Sequence, residues 1–448
     1  MNGCGCRQIS WMETPRYFFS ALMASFALSY TNALHAQVEY RINDEINIDF
    51  FGEIIAAGFY EDNSWFGEAE NTIGVNGEHW AEASGEFGFN FNGLLSDGVL
   101  FGSASGVYAK TWDEDASGIT AGQGGDSDDL LTEQAYIGWR STDSSFQLTA
   151  GRQDYTIGSG FLIADGANDG GERGAYWIGA RKSFRESAIA KFQYGPVTIE
   201  AFSLKNRARQ DGVEGEVAGA NLEYRSKRMG TFALTYIKLT GAEQAIDYLK
   251  GLEVFDIRYD REAPEHGGWF LNAEYAYQKN DNDYDIESTG GFIQVGYDFT
   301  QARWAPRVSY RYASLEGDDP DTQQDEGFRA LAYGYTDWGT WYQGEITGNF
   351  VFGNSNLNSH LGRVQVSPHR DITLNILLYR FEINEEAALG ITDDDFGDEI
   401  NLALDWQVNK QFFVSTVVGV LLPGEGGEQF SGGDKNWTHL MFNASYTF

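Results

Sequence analysis

From Leu440 to its last residue the chain reads "LMFNASYTF". Leu440, Phe442, Ala444, Tyr446 and Phe448 take every second place, and Asn443, Ser445 and Thr447 stand between them. Strict alternation over about ten residues predicts a strand with one apolar and one polar face. The pattern recurs. In "AEASGEFGFNFN", Ala81, Ala83, Phe87, Phe89 and Phe91 alternate with Glu82, Ser84, Glu86, Asn90 and Asn92. In "WFLNAEYAYQ", Leu271, Ala273, Tyr275 and Tyr277 oppose Asn272, Glu274 and Gln278. In "EINLALDWQV", Ile400, Leu402, Leu404, Trp406 and Val408 oppose Asn401, Asp405 and Gln407.

The connections alternate in kind. Short ones ("GLLSDG", "STDSS", "YGPV", "SKRMG", "SPHRD", "VNKQ") are separated by long, acidic, Gly-rich ones such as "DEDASGITAGQGGDSDD", "EGDDPDTQQDEG" and "EEAALGITDDDFGDE". Hairpins with tight turns at one end and long loops at the other are the mark of a transmembrane barrel. The predicted fold is therefore all-β, a membrane-spanning antiparallel up-and-down barrel of about 18 strands with a long in-folded loop. The count is 18 if Thr156 to Phe184 is one insertion after the fifth strand, and nearer 20 if it holds a hairpin. Its Gly-rich sequence and weak alternation favour the insertion. A soluble sandwich is the alternative, but it would seal its apolar faces together and need far fewer aromatic residues at strand ends.

Composition agrees. There are 24 Tyr, 12 Trp, 31 Phe and 54 Gly but 7 Pro, and the mean hydropathy of -0.39 excludes a bundle of membrane helices. The first residues read as an export signal: Arg16, the apolar "YFFSALMASFALSY", then "TNALHA" with Ala36 before Gln37. Residues 1–36 are expected to be a cleaved signal peptide, with Met12 opening a leader of more ordinary shape than Met1, and 37–448 a single barrel domain. The apolar core is shorter than the roughly 20 residues of a membrane-anchoring helix. Cleavage removes Cys4 and Cys6, so no disulfide framework remains. The destination expected is the cell outer membrane. Outer-membrane lipid and lipopolysaccharide are the expected surroundings, and the terminal Phe448 resembles the signal that such barrels present to the barrel-assembly machinery. With 66 Asp plus Glu against 31 Lys plus Arg, binding of nucleic acid through a general positive field is excluded.

The stretch from Ala305 to Phe448 resembles the alginate-export family of outer-membrane barrels. The matching pieces are "PRVSYRYASLEGDDP" followed by "EGFRALAYGY", "SNLNSHLGRVQVSP", "DITLNILLYRFEIN", "DEINLALDWQVNKQFFVSTVVGVLLPG" and "ASYTF". Upstream, "FQLTAGRQ" before the Gly-rich insertion is similar to that family's strand bearing a pore arginine, here Arg152. The resemblance implies a monomeric barrel of about 18 strands that passes an anionic polysaccharide, such as alginate or its oligomers, through an arginine-lined constriction.

Alternation by itself assigns lumen positions to Arg140, Lys191, Arg225, Arg258, Arg307, Arg311 and Arg363, mixed with Glu82, Glu86, Glu223, Asp256, Glu274, Asp298 and Asp405. Arginine binds carboxylate through a planar fork, and nearby acids keep the binding weak enough for release. The bland alternative is that these charges satisfy one another across a wet interior. Basic residues concentrate from Arg152 to Lys238, where 13 Lys plus Arg face 10 Asp plus Glu, a balance of +3 that leaves -38 of the total -35 for the rest. A positive constriction is expected there, from Arg152 with Arg173, Arg181 and Arg185. A general diffusion porin for small solutes is the alternative reading. No cofactor is expected. "DNDYD" places Asp281, Asp283 and Asp285 at alternate positions but lacks the Gly and Glu of a calcium loop, so any Ca held at the acidic external loops is loose. An outer-membrane barrel enzyme is the remaining rival. Mature histidines His79, His266, His360, His369 and His439 show neither a nucleophile motif nor metal-ligand spacing, and the protein is expected not to be an enzyme.

Overall fold

The computed structural model describes residues 38–41, 46–74, 79–112, 128–164, 166, 174–175, 177–206, 215–242, 244–280, 284–332, 334 and 343–448. The expected leader 1–36, Arg173, Asp281 and Asp283 lie outside the described residues. A short strand β1 (Val38–Arg41) precedes the wall. The wall then runs β2 (Ile46–Asp62), β3 (His79–Leu95), β4 (Gly98–Trp112), β5 (Asp128–Ser141), β6 (Phe146–Gln153) and β7 (Phe184–Tyr194). It continues with β8 (Val197–Lys205), β9 (Gly215–Ser226), β10 (Gly230–Ala242), β11 (Glu253–Arg261), β12 (Gly268–Asn280) and β13 (Ile286–Asp298). The remaining strands are β14 (Arg307–Leu315), β15 (Leu357–His369), β16 (Ile372–Ile383), β17 (Asp395–Gln407), β18 (Phe412–Pro423) and β19 (Trp437–Thr447).

Each strand from β2 to β19 pairs antiparallel with its sequence neighbours, and β19 returns to β2 with Thr438 opposite Asp62 and Thr447 opposite Glu53. The result is a closed barrel of 18 strands, as the alternation predicts. Closure matters because hydrocarbon offers no partner to a free N–H or C=O, and a closed ladder leaves no edge. The β1 strand pads β2 beyond the end of β19, with Val38 opposite Phe50 and Arg41 opposite Asn47.

The outward faces carry the alternating apolar residues. Ile54, Phe87, Ile137, Leu234, Ile257, Tyr275, Leu402 and Phe442 are exposed on the protein surface, where lipid meets the wall. The chain end belongs to this face. Gly52 and Phe448 exchange both backbone hydrogen bonds at 3.0 Å, and the Phe448 ring packs 5.9 Å from Phe87 and 6.2 Å from Tyr446. A Cβ on Gly52 would stand 2.4 Å from that ring, so glycine is what lets the terminal aromatic lie across the seam where the last strand meets the first.

The inner face departs from simple polarity. Two apolar clusters lie inside the barrel, one built on Phe59, Trp80, Tyr379, Phe381 and Trp437, the other on Phe202, Val254, Phe292 and Leu315. Each packs against a segment of chain folded in from the long-loop end. The first segment, between β6 and β7, is the insertion expected from the sequence. The second, between β14 and β15, begins in the acidic run that reads as an external loop, but residues 343–352 are buried and include the helical turn Thr347–Val351. Its apolar residues Ile346, Phe350 and Phe352 match the apolar inner wall, which explains why strand alternation fails to register it.

Candidate functional site

Wall carboxylates hold the in-folded segments. Glu82 on β3 accepts the backbone N–H groups of Trp177 at 2.9 Å and Ile178 at 3.0 Å, and the Thr111 hydroxyl at 3.4 Å. Glu133 on β5 accepts the N–H groups of Lys182 and Ser183, both at 2.8 Å. Glu399 on β17 does the same for the second segment, accepting from Ile346 and Thr347 at 2.9 Å each. Two successive amides converging on one carboxylate make a charge-assisted pair that satisfies both donors of a buried loop. On β12, Gln278 closes a reciprocal pair with the Arg329 backbone, at 2.8 Å and 2.9 Å.

The segments also meet each other. Ile163 and Ala332 form a parallel bridge, Gly334 donates to the Gly160 carbonyl at 3.0 Å, and the Trp177 and Phe350 rings lie 4.8 Å apart. Together they span the lumen from the β3–β5 wall to the β17 wall.

Arg258 pins the tip of the first segment. It is buried on β11 and ion-paired to Glu223 at 2.8 Å and Asp260 at 3.3 Å, with Glu274 opposite it in register. Gly158, at φ +57°, lies against the guanidinium so closely that a Cβ there would stand 2.5 Å from it, and Ser159 donates to Glu274 at 3.2 Å.

The other sequence-predicted positions divide into three groups. Arg307, Arg311 and Arg363 occupy inward positions on the adjacent strands β14 and β15, Ser309 standing opposite Arg363. Arg307 stacks on Phe270 at 4.0 Å and pairs with Asp298 at 3.4 Å, while Arg363 donates to Asn375 at 3.1 Å. Near the short-turn end, Arg140 lies over Phe101, Lys191 pairs with Glu200 at 3.0 Å, and Arg225 pairs with Glu223 at 2.7 Å.

The third group is the expected constriction, and its described members Arg152, Arg181 and Arg185 are not brought together, Arg173 lying outside the described residues. Arg152 shares its face of β6 with Leu148 and Ala150, stands opposite Ala135 and donates to the Thr132 carbonyl at 3.1 Å, which turns it outward. Arg181 is buried within the insertion and donates to the Gly174 carbonyl at 2.9 Å. Arg185 sits at the register shift of β7, paired with its neighbour Glu186 at 3.2 Å.

Between the first segment and the β2–β5 wall lies a cavity of about 300 Å³. Its charged lining is Glu53, Glu86, Glu133, Asp154 and Lys182, four carboxylates against one ammonium, or -3. Sequence reasoning missed this acidic side because a count over Arg152 to Lys238 cannot see acids that earlier strands bring alongside.

Among the described residues no group of His, Cys, Asp and Glu is arranged to hold a metal ion. Outside the spanning strands, burial pushes the Glu345 carboxyl in the second segment up to about 8; His439 opposes the shift, and Glu399 and Asp405 reinforce it. In the turn after β5, the Ser141 hydroxyl with the N–H and hydroxyl of Ser145 holds Asp143 down at about 2.

Residues 96–429 match the family model described as alginate export. No curated protein matches the sequence. Among solved structures, the Pseudomonas aeruginosa porin OccK9 (OpdG) superposes with a TM-score of 0.59 at 11% identity, covering 90% of this chain and 98% of its own. OccK5 (OpdH) of the same organism gives 0.57 at 12%, covering 89% and 98%, and OpdK, solved with vanillate, 0.56 at 11%, covering 89% and 98%. These likenesses concern the fold, while the family match spans most of the barrel. The chain belongs to the alginate export family, as an outer-membrane β-barrel of the channel-forming kind.

Proposed function

We propose that the protein is a passive outer-membrane channel for anionic sugars or oligosaccharides of the alginate type, with no catalytic step. The observation that carries the reading is the set of guanidinium groups Arg307, Arg311 and Arg363 at inward positions on two adjacent strands. Planar forks on a rigid wall orient a carboxylate at low entropic cost, and acids within reach, such as Asp298, keep residence short. The family supports a uronic-acid solute. Cleavage after Ala36 and delivery through the assembly machinery by way of Phe448 complete the proposal.

One observation favours a second reading. The acidic cavity beside the first segment suits cations, which would make the protein a general porin for small solutes. Reversal potentials of single channels across asymmetric salt separate the two. Anion preference despite the formal charge of -35 supports the saccharide channel; cation preference supports the general porin.

A further inference from the structure

A motif not used by the lumen repeats on the outer surface. Tyr108-x-Lys110 on β4, Tyr236-x-Lys238 on β10 and Tyr277-x-Lys279 on β12 each meet an acid on the next strand. In every case the lysine stands directly opposite the acid in register: Lys110 opposite Asp128, Lys238 opposite Glu253, Lys279 opposite Glu287. In every case the tyrosine, two residues nearer the middle of the wall, reaches the same acid diagonally. The hydroxyl distances are 3.0 Å for Tyr108 to Asp128, and 2.8 Å for both Tyr236 to Glu253 and Tyr277 to Glu287. Lys110 lies 3.8 Å from Asp128, and Lys238 3.0 Å from Glu253.

Two of the triads fuse. Glu253 also stands opposite Lys279, so Lys238, Glu253, Lys279 and Glu287 form one row of alternating charge across four strands. Directly below it runs an aromatic row, with Tyr236 opposite Phe255 and Phe255 opposite Tyr277. The row lies at the long-loop end, away from the chain terminus, and therefore at the external edge of the bilayer. An exposed ion pair contributes little to stability, which leaves the repetition unexplained as scaffolding alone.

We infer that these triads are binding sites for the phosphate groups of outer-leaflet lipid. The tyrosine ring settles at the interface between acyl chains and headgroups, the acid holds the lysine upright at the level just above, and the ammonium donates to a phosphate oxygen. Lipid phosphate is favoured over free phosphate because the ammonium groups sit directly above a surface already immersed in acyl chains.

The test is native mass spectrometry of the detergent-solubilised mature protein with added bisphosphorylated lipid A. Wild type should retain the lipid, and Lys110→Gln, Lys238→Gln and Lys279→Gln combined should lower occupancy about tenfold or more. Dephosphorylated lipid A should fall equally on wild type, and inorganic phosphate should not compete. A control carrying Lys227→Gln and Arg228→Gln at the opposite end should bind as wild type does. Equal retention by the triple variant, equal retention of the dephosphorylated lipid, or competition by inorganic phosphate would overturn the assignment. Heat-modifiable migration checks that the variant barrel is closed. If the triple variant fails to close, Lys238→Gln with Lys279→Gln serves instead, leaving β4 untouched: lipid occupancy should fall, and retention equal to wild type would overturn the assignment. Unchanged conductance of the variants separates this result from the fate of the channel reading.

Discussion

At the scale of single residues, a charge inside a barrel does one of two jobs, and the partner decides which. Glu82 has the lumen position that alternation assigns, yet its carboxylate is spent on two backbone amides of the insertion rather than on an arginine. Removing it leaves both N–H groups without that acceptor, at about 1–3 kcal/mol each. Glu82→Ala should therefore raise single-channel conductance and its noise while the closed barrel still migrates anomalously on unheated gels. A variant with wild-type conductance would show that the segment is held by its apolar packing alone. Arg152 makes the converse case. The sequence motif around it resembles a pore strand, but the face it occupies is fixed by register, which a single strand read in isolation does not reveal. Arg152→Glu should leave ion selectivity unchanged, and a shift comparable to that of Arg311→Glu would contradict its outward placement.

At the scale of elements, the wall was legible because a strand between lipid and water must alternate, and the alternation recurs strand after strand. The tight turns and the first in-folded segment were legible for the same reason, as breaks in that pattern. The second segment was not. Its residues Ile346, Phe350 and Phe352 pack on apolar inward positions such as Phe396 and Trp437, a pairing between distant stretches that local periodicity cannot show. Its docking should depend on pH. Buried Glu345 titrates at about 8 against an ordinary value of 4.5, so between those values the docked segment holds more protons than the undocked one. Docking is then fully favoured below 4.5 and weakens as pH rises toward 8. Open-state fluctuations should increase over that window, and Glu345→Gln should flatten the dependence. An increase on acidification instead would reverse the sign and refute the docking role of this carboxyl.

At the scale of the whole molecule, closure depends on the last strand finding the first. Deleting Phe448 removes the ring that lies across Gly52 and its two backbone bonds, so outer-membrane insertion should fall while synthesis and export persist. Wild-type surface levels would show the terminus to be dispensable. The lumen presents arginines on β14 and β15 and an acidic cavity beside β2–β5, so the sign of selectivity cannot follow from the net charge of -35. Charges in the external loops, such as Asp393 and Asp394, are screened within about 8 Å at physiological salt, whereas charges on the low-dielectric wall act on the permeating ion with little screening. The reversal potential across asymmetric salt reads that balance directly, for wild type beside Arg311→Glu. The proposed channel predicts anion preference in wild type and a clear loss of it in the variant. Cation preference in wild type, unmoved by Arg311→Glu, would contradict it.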